Sequence, residues 1–198
     1  VRMPTMTASG ARAFNLVSFA SSVSSPIFQK PRSSSWRSAG PLVVAAESEV
    51  GSEVGSDKYK YKLLWLSALY RFIKAEMQEH NKLVVLGDFN IAPADADVHD
   101  PKKWGEAILC SPLERKALSD LLDLGLTDVF RKFEHPEKTF SWWDYRAAGF
   151  RRNAGLRIDL ILTTDSMTEG CTASYIDKEP RAWERPSDHT PVVAEFDY

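Results

Sequence analysis

The sequence predicts an α/β domain, on three observations. Apolar residues recur at spacings of three and four from Tyr59 onward, the run "LVVL" (83–86) is apolar on both faces, and several short strand-like runs follow residue 139. Composition agrees, since 43% hydrophobic and 11% aromatic residues in a 198-residue chain suit one globular domain with a real core.

Each element has its own signal. Leu66, Leu69, Ile73 and Met77 form the apolar stripe of a helix, widened by Trp65 and Phe72 and ending near His80 and Asn81. The run at 83–86 suits a central strand covered on both sides, and Gly87 is expected to break it. A polar loop with Pro93 and Pro101 leads to "SPLE". There Ser111 can cap a second helix, Pro112 can take its first position, and Glu114 can reach back to complete a capping box. Leu118, Leu121 and Leu122 face the core, and Gly125 ends that helix. Strands are expected at 139–145, 156–163, 171–176 and 191–196, with an antiparallel return at the end.

The first 46 residues read differently. They hold five basic residues, ten serines and no acid, while the whole chain carries −2, so the remainder is markedly acidic. That composition is expected of an organelle transit peptide or an untargeted tail, and residues 1–46 are set apart from the fold on this ground. Residues 47–58, "ESEVGSEVGSDK", repeat "SEVG" and read as a linker, leaving 59–198 as the folded domain. No apolar run approaches the roughly 18 to 20 residues a membrane helix needs, so no membrane partner is expected. Cys110 and Cys171 form no CxxC and read as small buried hydrophobes.

Four stretches set polar or acidic residues at strand ends: "GDFN" (87–90), "FSWWDYR" (140–146), "GLRIDLIL" (155–162) and "PSDHTP" (186–191). Asp88 alone reads as a turn residue. Asp159 lies inside an apolar strand, where an unpaired carboxylate is costly and needs a hydrogen bond or a cation. His189 could be that partner. From Asp128 to Arg157 seven basic residues stand against four acidic ones, either a phosphate-contacting strip or an ordinary solvated loop.

In order and wording, "GDFNIAP", "SWWDYR", "GLRIDLIL" and "PSDHTPV" resemble the exonuclease III family of DNA repair nucleases, within the endonuclease/exonuclease/phosphatase superfamily, from about Tyr59 to Tyr198. The resemblance implies the C-terminal half of a four-layer α/β sandwich, with the N-terminal half missing. It also implies a phosphodiesterase using magnesium, with manganese as a substitute, that cuts DNA at abasic sites or trims 3′ ends. Asp88 then resembles the carboxylate that deprotonates the attacking water, and Asn90 the amide that holds phosphate or metal. Asp188 resembles a metal carboxylate, and His189 a residue of the metal and phosphate site, oriented by Asp159. Trp142 and Leu156, with Ile158 nearby, resemble the apolar pocket for a base-less sugar, and Arg146 a DNA contact.

Such clustering suits the chemistry. Phosphate-ester hydrolysis asks an enzyme for on the order of 20 kcal/mol, which no single group supplies. The family's first strand, its glutamate ligand and its tyrosine have no recognisable counterpart upstream of Tyr59, and none of Glu47, Glu49 and Glu53 is assigned as the ligand. An impaired site follows as an expectation, as does an uncovered sheet face prone to self-association. Rival readings are a non-catalytic nucleic-acid-binding or regulatory fragment, and a small phosphodiester substrate such as a phosphoinositide. The expected compartment is the chloroplast, with mitochondrion or nucleus as alternatives.

Overall fold

A computed structural model describes the backbone of residues 13–18 and the whole of residues 40–48 and 53–197. Strand β1 (Ala13–Ser18) pairs with the last strand, β9 (Val192–Asp197), which also pairs with β8 (Cys171–Ile176), giving an antiparallel sheet in the order β1-β9-β8. The second sheet has the order β2-β3-β7-β4, from β2 (Leu42–Glu47), β3 (Leu83–Asp88), β4 (Leu126–Asp128) and β7 (Asp159–Thr164). β2 runs parallel to β3, and the other pairs in that sheet are antiparallel. A small hairpin of β5 (Trp142–Trp143) and β6 (Gly155–Leu156) sits beside them.

Alternation along the strands splits the core in two. Leu83, Val85, Leu160 and Leu162 face the helices, packing on Trp65, Leu66, Leu69 and Ile73 of α1 (Asp57–Glu79) and on Leu118 and Leu121 of α2 (Pro112–Leu122). Val84 and Ile161 face the other way, against Cys171, Val192, Ala194 and Phe196 of the three-stranded sheet. Both helix starts follow from local chemistry. The Ser56 hydroxyl accepts from Tyr59 N at 3.1 Å, and Ser111 and Glu114 form the expected capping box.

Several expectations change. The segment set apart as 1–46 contains β1 and β2, and the linker read over 47–58 begins in a strand and ends in α1. Serine and basic content say nothing about pairing, which is why composition hid them. Residues 1–12, 19–39, 49–52 and 198 lie outside the described residues. The expected strand at 139–145 shrinks to Trp142–Trp143. That at 156–163 divides at Arg157 and Ile158, whose N–H groups go to Asp97 O (3.0 Å) and Ser141 Oγ (3.1 Å) instead of a ladder. The sheet's inner face is covered at β7, every residue of which is buried, and nearly so at β3, while Ala45 of β2 is exposed. Among the described residues no helix is long and apolar enough to cross a membrane.

Gly87 does not break its strand. It pairs with Ala46 on one side and Leu160 on the other, at φ 147°. A Cβ there would stand 1.7 Å from the carbonyl oxygen of Ala46, so the glycine is what lets β2 lie against β3. Gly87→Ala is expected to cost at least about 2 kcal/mol, read as a lowered denaturation midpoint. An alanine variant as stable as the parent would show that β2 does not pack there.

Candidate active site

β2, β3 and β7 end in step. Glu47 is opposite Asp88, and Asp88 is opposite Asp159, so three carboxylates stand in a row across three adjacent strands. All three occupy positions that alternate toward the three-stranded sheet, the side from which the segment before β9 brings His189. That segment is fixed by backbone bonds from Trp143 N to Asp188 O (3.0 Å) and from Thr190 N to Ser141 O (2.8 Å).

His189 Nδ1 meets Asp159 Oδ2 at 2.9 Å and Oδ1 at 3.2 Å, while Nε2 lies 3.8 Å from Asp88 Oδ2. Burial works against the imidazolium, but the hydrogen bond and charge of Asp159, with Asp88 and Asp188 adding, lift its pKa to about 9. Asp88 moves the unusual way for an acid. Burial first, and then the Asp159 charge, push it to about 8, against the pull of His189, the Asn90 N–H and Lys62. Glu47 is also raised, by burial, with His189 opposing and Asp159 adding.

Around Asp88 the loop is tightly braced. Asn90 has φ 51°, and this turns its N–H onto Asp88 Oδ1 (2.8 Å) and its side-chain Nδ2 onto Asp88 Oδ2 (2.8 Å) and Ser48 O (2.8 Å). Ser48 in turn donates from N to Asp88 O (2.9 Å) and from Oγ to Phe89 O (2.7 Å).

Asp88, Asp159 and His189 offer ligand atoms that all lie within 4.8 Å of one another. Two hard carboxylates suit a divalent cation, with the imidazole as a third ligand or as a phosphate contact beside it, and a carboxyl raised by burial and a neighbouring acid marks a candidate functional site. Residues read as cation or phosphate contacts divide. Asn90 is buried, and both of its nitrogens brace Asp88. Asp188 lies outside the group of Asp88, Asp159 and His189, its Oδ2 accepting from the Trp142 indole at 3.0 Å.

The residues read as a sugar pocket are largely covered. Leu156 and Ile158 are sealed in a core cluster beneath Trp142, which keeps a partly exposed face. Arg146 is exposed and turned onto Asp144, with Nε 3.1 Å from both carboxylate oxygens. The basic strip is partly spent on the fold. Arg157 is fully buried, bonded to Asp97 (2.7 Å) and Asp128 (2.7 Å) and lying over the Phe130 ring, and Arg131 also serves Asp97. Arg151 and Arg152 remain exposed. Sequence reading declined Glu47 as a ligand and passed over Ser48 and Lys62. For Glu47 the signal was available, since "LVVAAE" and "LVVLGD" are matching apolar runs that each end in an acid.

Two facing sheets flanked by helices, with acids and a histidine gathered at strand ends, define a class of phosphate-ester site on rigid supports. The chain matches the model of the Endonuclease/Exonuclease/phosphatase family over residues 8–189. It belongs to that family, and within it to the exonuclease III group. It is 38% identical over 152 residues to Exodeoxyribonuclease III of Haemophilus influenzae, covering 73% of this chain and 57% of that one. A solved 3′ phosphatase NExo from Neisseria, bound to a product DNA hairpin, superposes with a TM-score of 0.79 at 40% identity, over 94% of this chain and 80% of that chain. An AP endonuclease from Archaeoglobus fulgidus does so with a TM-score of 0.75 at 39% identity, over 81% and 63%. The chain thus spans little more than half the length of its curated relatives.

Proposed function

We propose that the protein is a divalent-metal-dependent DNA repair nuclease that hydrolyses phosphodiester bonds, as an abasic-site endonuclease, a 3′-5′ exodeoxyribonuclease or both. The observation that carries this reading is the gathering of Asp88, Asp159 and His189 at the strand ends, acids for a cation beside an imidazole for the phosphate. DNA as substrate draws support from the relatives, an exodeoxyribonuclease, an AP endonuclease and a 3′ phosphatase bound to DNA, and an abasic duplex is the form we test.

Magnesium is the proposed ion, with manganese as its substitute, held by Asp88 with Asp159 and Glu47 beside it. A bound dication would supply Lewis-acid stabilisation of phosphate oxygens and favour ionised carboxylates around it. The chain's own residues supply the remainder. Asp88, once ionised, accepts a proton from the attacking water. His189, held by Asp159 through Nδ1, presents Nε2–H to the developing charge on the phosphate. Asn90 and Ser48 keep the Asp88 carboxylate from turning away.

Glu47 widens the donor set, so Glu47→Gln is expected to weaken manganese binding about tenfold, measured by electron paramagnetic resonance of the free ion. Unchanged affinity would remove Glu47 from the site. The function itself is tested by magnesium-dependent incision of an abasic-site duplex. The 198-residue chain is compared with its Asp88→Ala variant and with a chain completed by a family N-terminal half. Cutting by neither parent chain would refute the nuclease reading and favour a non-catalytic fragment. Equal cutting by both would refute the expectation that the 198-residue chain is impaired on its own. Chloroplast targeting rests on composition alone, and it competes with β2, which removal of a 46-residue leader would cut away.

A further inference from the structure

On the helical side of the sheet lies a buried polar chain that the proposed chemistry does not use. Lys62 occupies the apolar stripe of α1, between Tyr59 and Leu66, and is 1% exposed. Its Nζ donates to the Asn90 carbonyl oxygen at 2.5 Å and pairs with Glu114, which is equally buried. Glu114 Oε2 accepts from the Ser111 hydroxyl (2.7 Å) and N–H (3.1 Å), and the Tyr59 hydroxyl meets Ser111 Oγ at 2.8 Å.

Such a pair is a poor device for stability alone. Two well-packed apolar side chains of similar volume serve as well or better, because neither has to leave water as an ion. What the ammonium gains here is a specific acceptor. The carbonyl it binds belongs to Asn90, whose left-handed backbone turns both of its nitrogen donors onto Asp88.

We propose that Lys62 is a positioning residue, its buried ammonium pinning the Asn90 carbonyl and thereby fixing the direction in which Asp88 presents its carboxylate. Glu114 holds Lys62 in place and is itself held by Ser111. The inference deepens the metal-dependent reading above and rests on it for its functional consequence. Its geometric content, that Lys62 sets the Asn90 turn, stands separately.

The test uses the full 198-residue chain with ¹⁵N-labelled asparagine. Lys62→Met alone would strand Glu114 as a buried unpaired acid, so the informative variant is Lys62→Met with Glu114→Met, which keeps the volume and removes both charges. The expected result is a folded protein whose Asn90 backbone and side-chain N–H signals move upfield, as hydrogen bonds to the carboxylate weaken. Its manganese affinity should fall 10- to 100-fold. Signals and affinity both unchanged would overturn the proposal.

Glu114→Gln guards against a variant that fails to fold, because its side-chain oxygen can still accept from Ser111 while the charge that holds Lys62 is removed. It is expected to move the Asn90 signals in the same direction by a smaller amount, with a smaller loss of manganese affinity. Signals and affinity both equal to the parent's would show that Glu114 does not hold Lys62 on the Asn90 carbonyl, and would also overturn the proposal. If the parent chain binds no manganese, the metal-dependent reading fails. The Asn90 signals then decide the clamp alone, shifted signals supporting it and unmoved signals refuting it.

Discussion

Asp88→Asn is expected to abolish metal-dependent phosphodiester cleavage, by at least about 10³-fold or roughly 4 kcal/mol of transition-state stabilisation, while making the metal-free protein more stable at alkaline pH. The two effects share one cause. Asp88 is 6% exposed and neighbours Asp159, and burial followed by that charge raises its pKa from 3.8 to about 8. A carboxyl whose folded pKa is raised contributes stability that is complete below its unfolded pKa and is lost as pH rises through the folded one. Above pH 8 the ionised Asp88 is therefore a net cost. Asparagine has nearly the same shape and no charge, so it removes the cost together with the proton acceptor. The gain should be on the order of 1 to 3 kcal/mol at pH 9, and should vanish near pH 4, where the parent carboxyl is itself largely protonated. Paired thermal melts across that range measure it. An Asp88→Asn protein no more stable than the parent at pH 9 would mean that the carboxyl is adequately solvated or paired, and would weaken its assignment as the site's strained group.

How far the sequence revealed this depends on which residues a single local rule can reach. Asp159 in an apolar strand demanded a partner, and the structure supplies His189 at 2.9 Å. The capping box at Ser111 and the stripe of α1 rest on contacts within one turn, and both were legible. Contacts between distant segments were not. Gly87 read as a strand breaker because nothing local shows that the Ala46 carbonyl lies where its side chain would be. Glu47 was hidden by its setting in a serine-rich, repetitive stretch, although its strand repeats the pattern of the one ending in Asp88. Lys62 was visible as a charge in an apolar stripe, but its acceptors, Asn90 and Glu114, are 28 and 52 residues away. Leu156 looked like a pocket wall because a sequence marks apolar residues without marking which are covered. Leu156 belongs to the hairpin with Trp142 and is covered completely by Val98, Leu109 and Cys110 in its core cluster.

Metal binding by the parent chain is expected to release close to one proton at pH 7, with the apparent affinity rising about tenfold per pH unit from pH 6 toward pH 8 and flattening above it. The count follows from two groups of opposite behaviour. Asp88, with a pKa near 8, holds its proton at pH 7 and must lose it to bind a cation. His189, lifted to about 9 chiefly by Asp159 against the effect of burial, keeps its proton through the same range if its role is toward phosphate. Were the imidazole itself a ligand it would have to be neutral, and binding would release a second proton. Calorimetric titration with manganese at pH 7, in two buffers of different ionisation enthalpy, reads this number directly. One proton supports Asp88 as the carboxylate that binds and His189 as the imidazolium beside it. Two would transfer His189 to the metal, and none would mean that Asp88 is already ionised and that its neighbours stabilise charge far better than burial opposes it. The same assignment gives the cleavage profile a descending limb near pH 9. Removing the Asp159 contact should move that limb toward lower pH, because the hydrogen bond and charge that hold the proton on His189 are then gone.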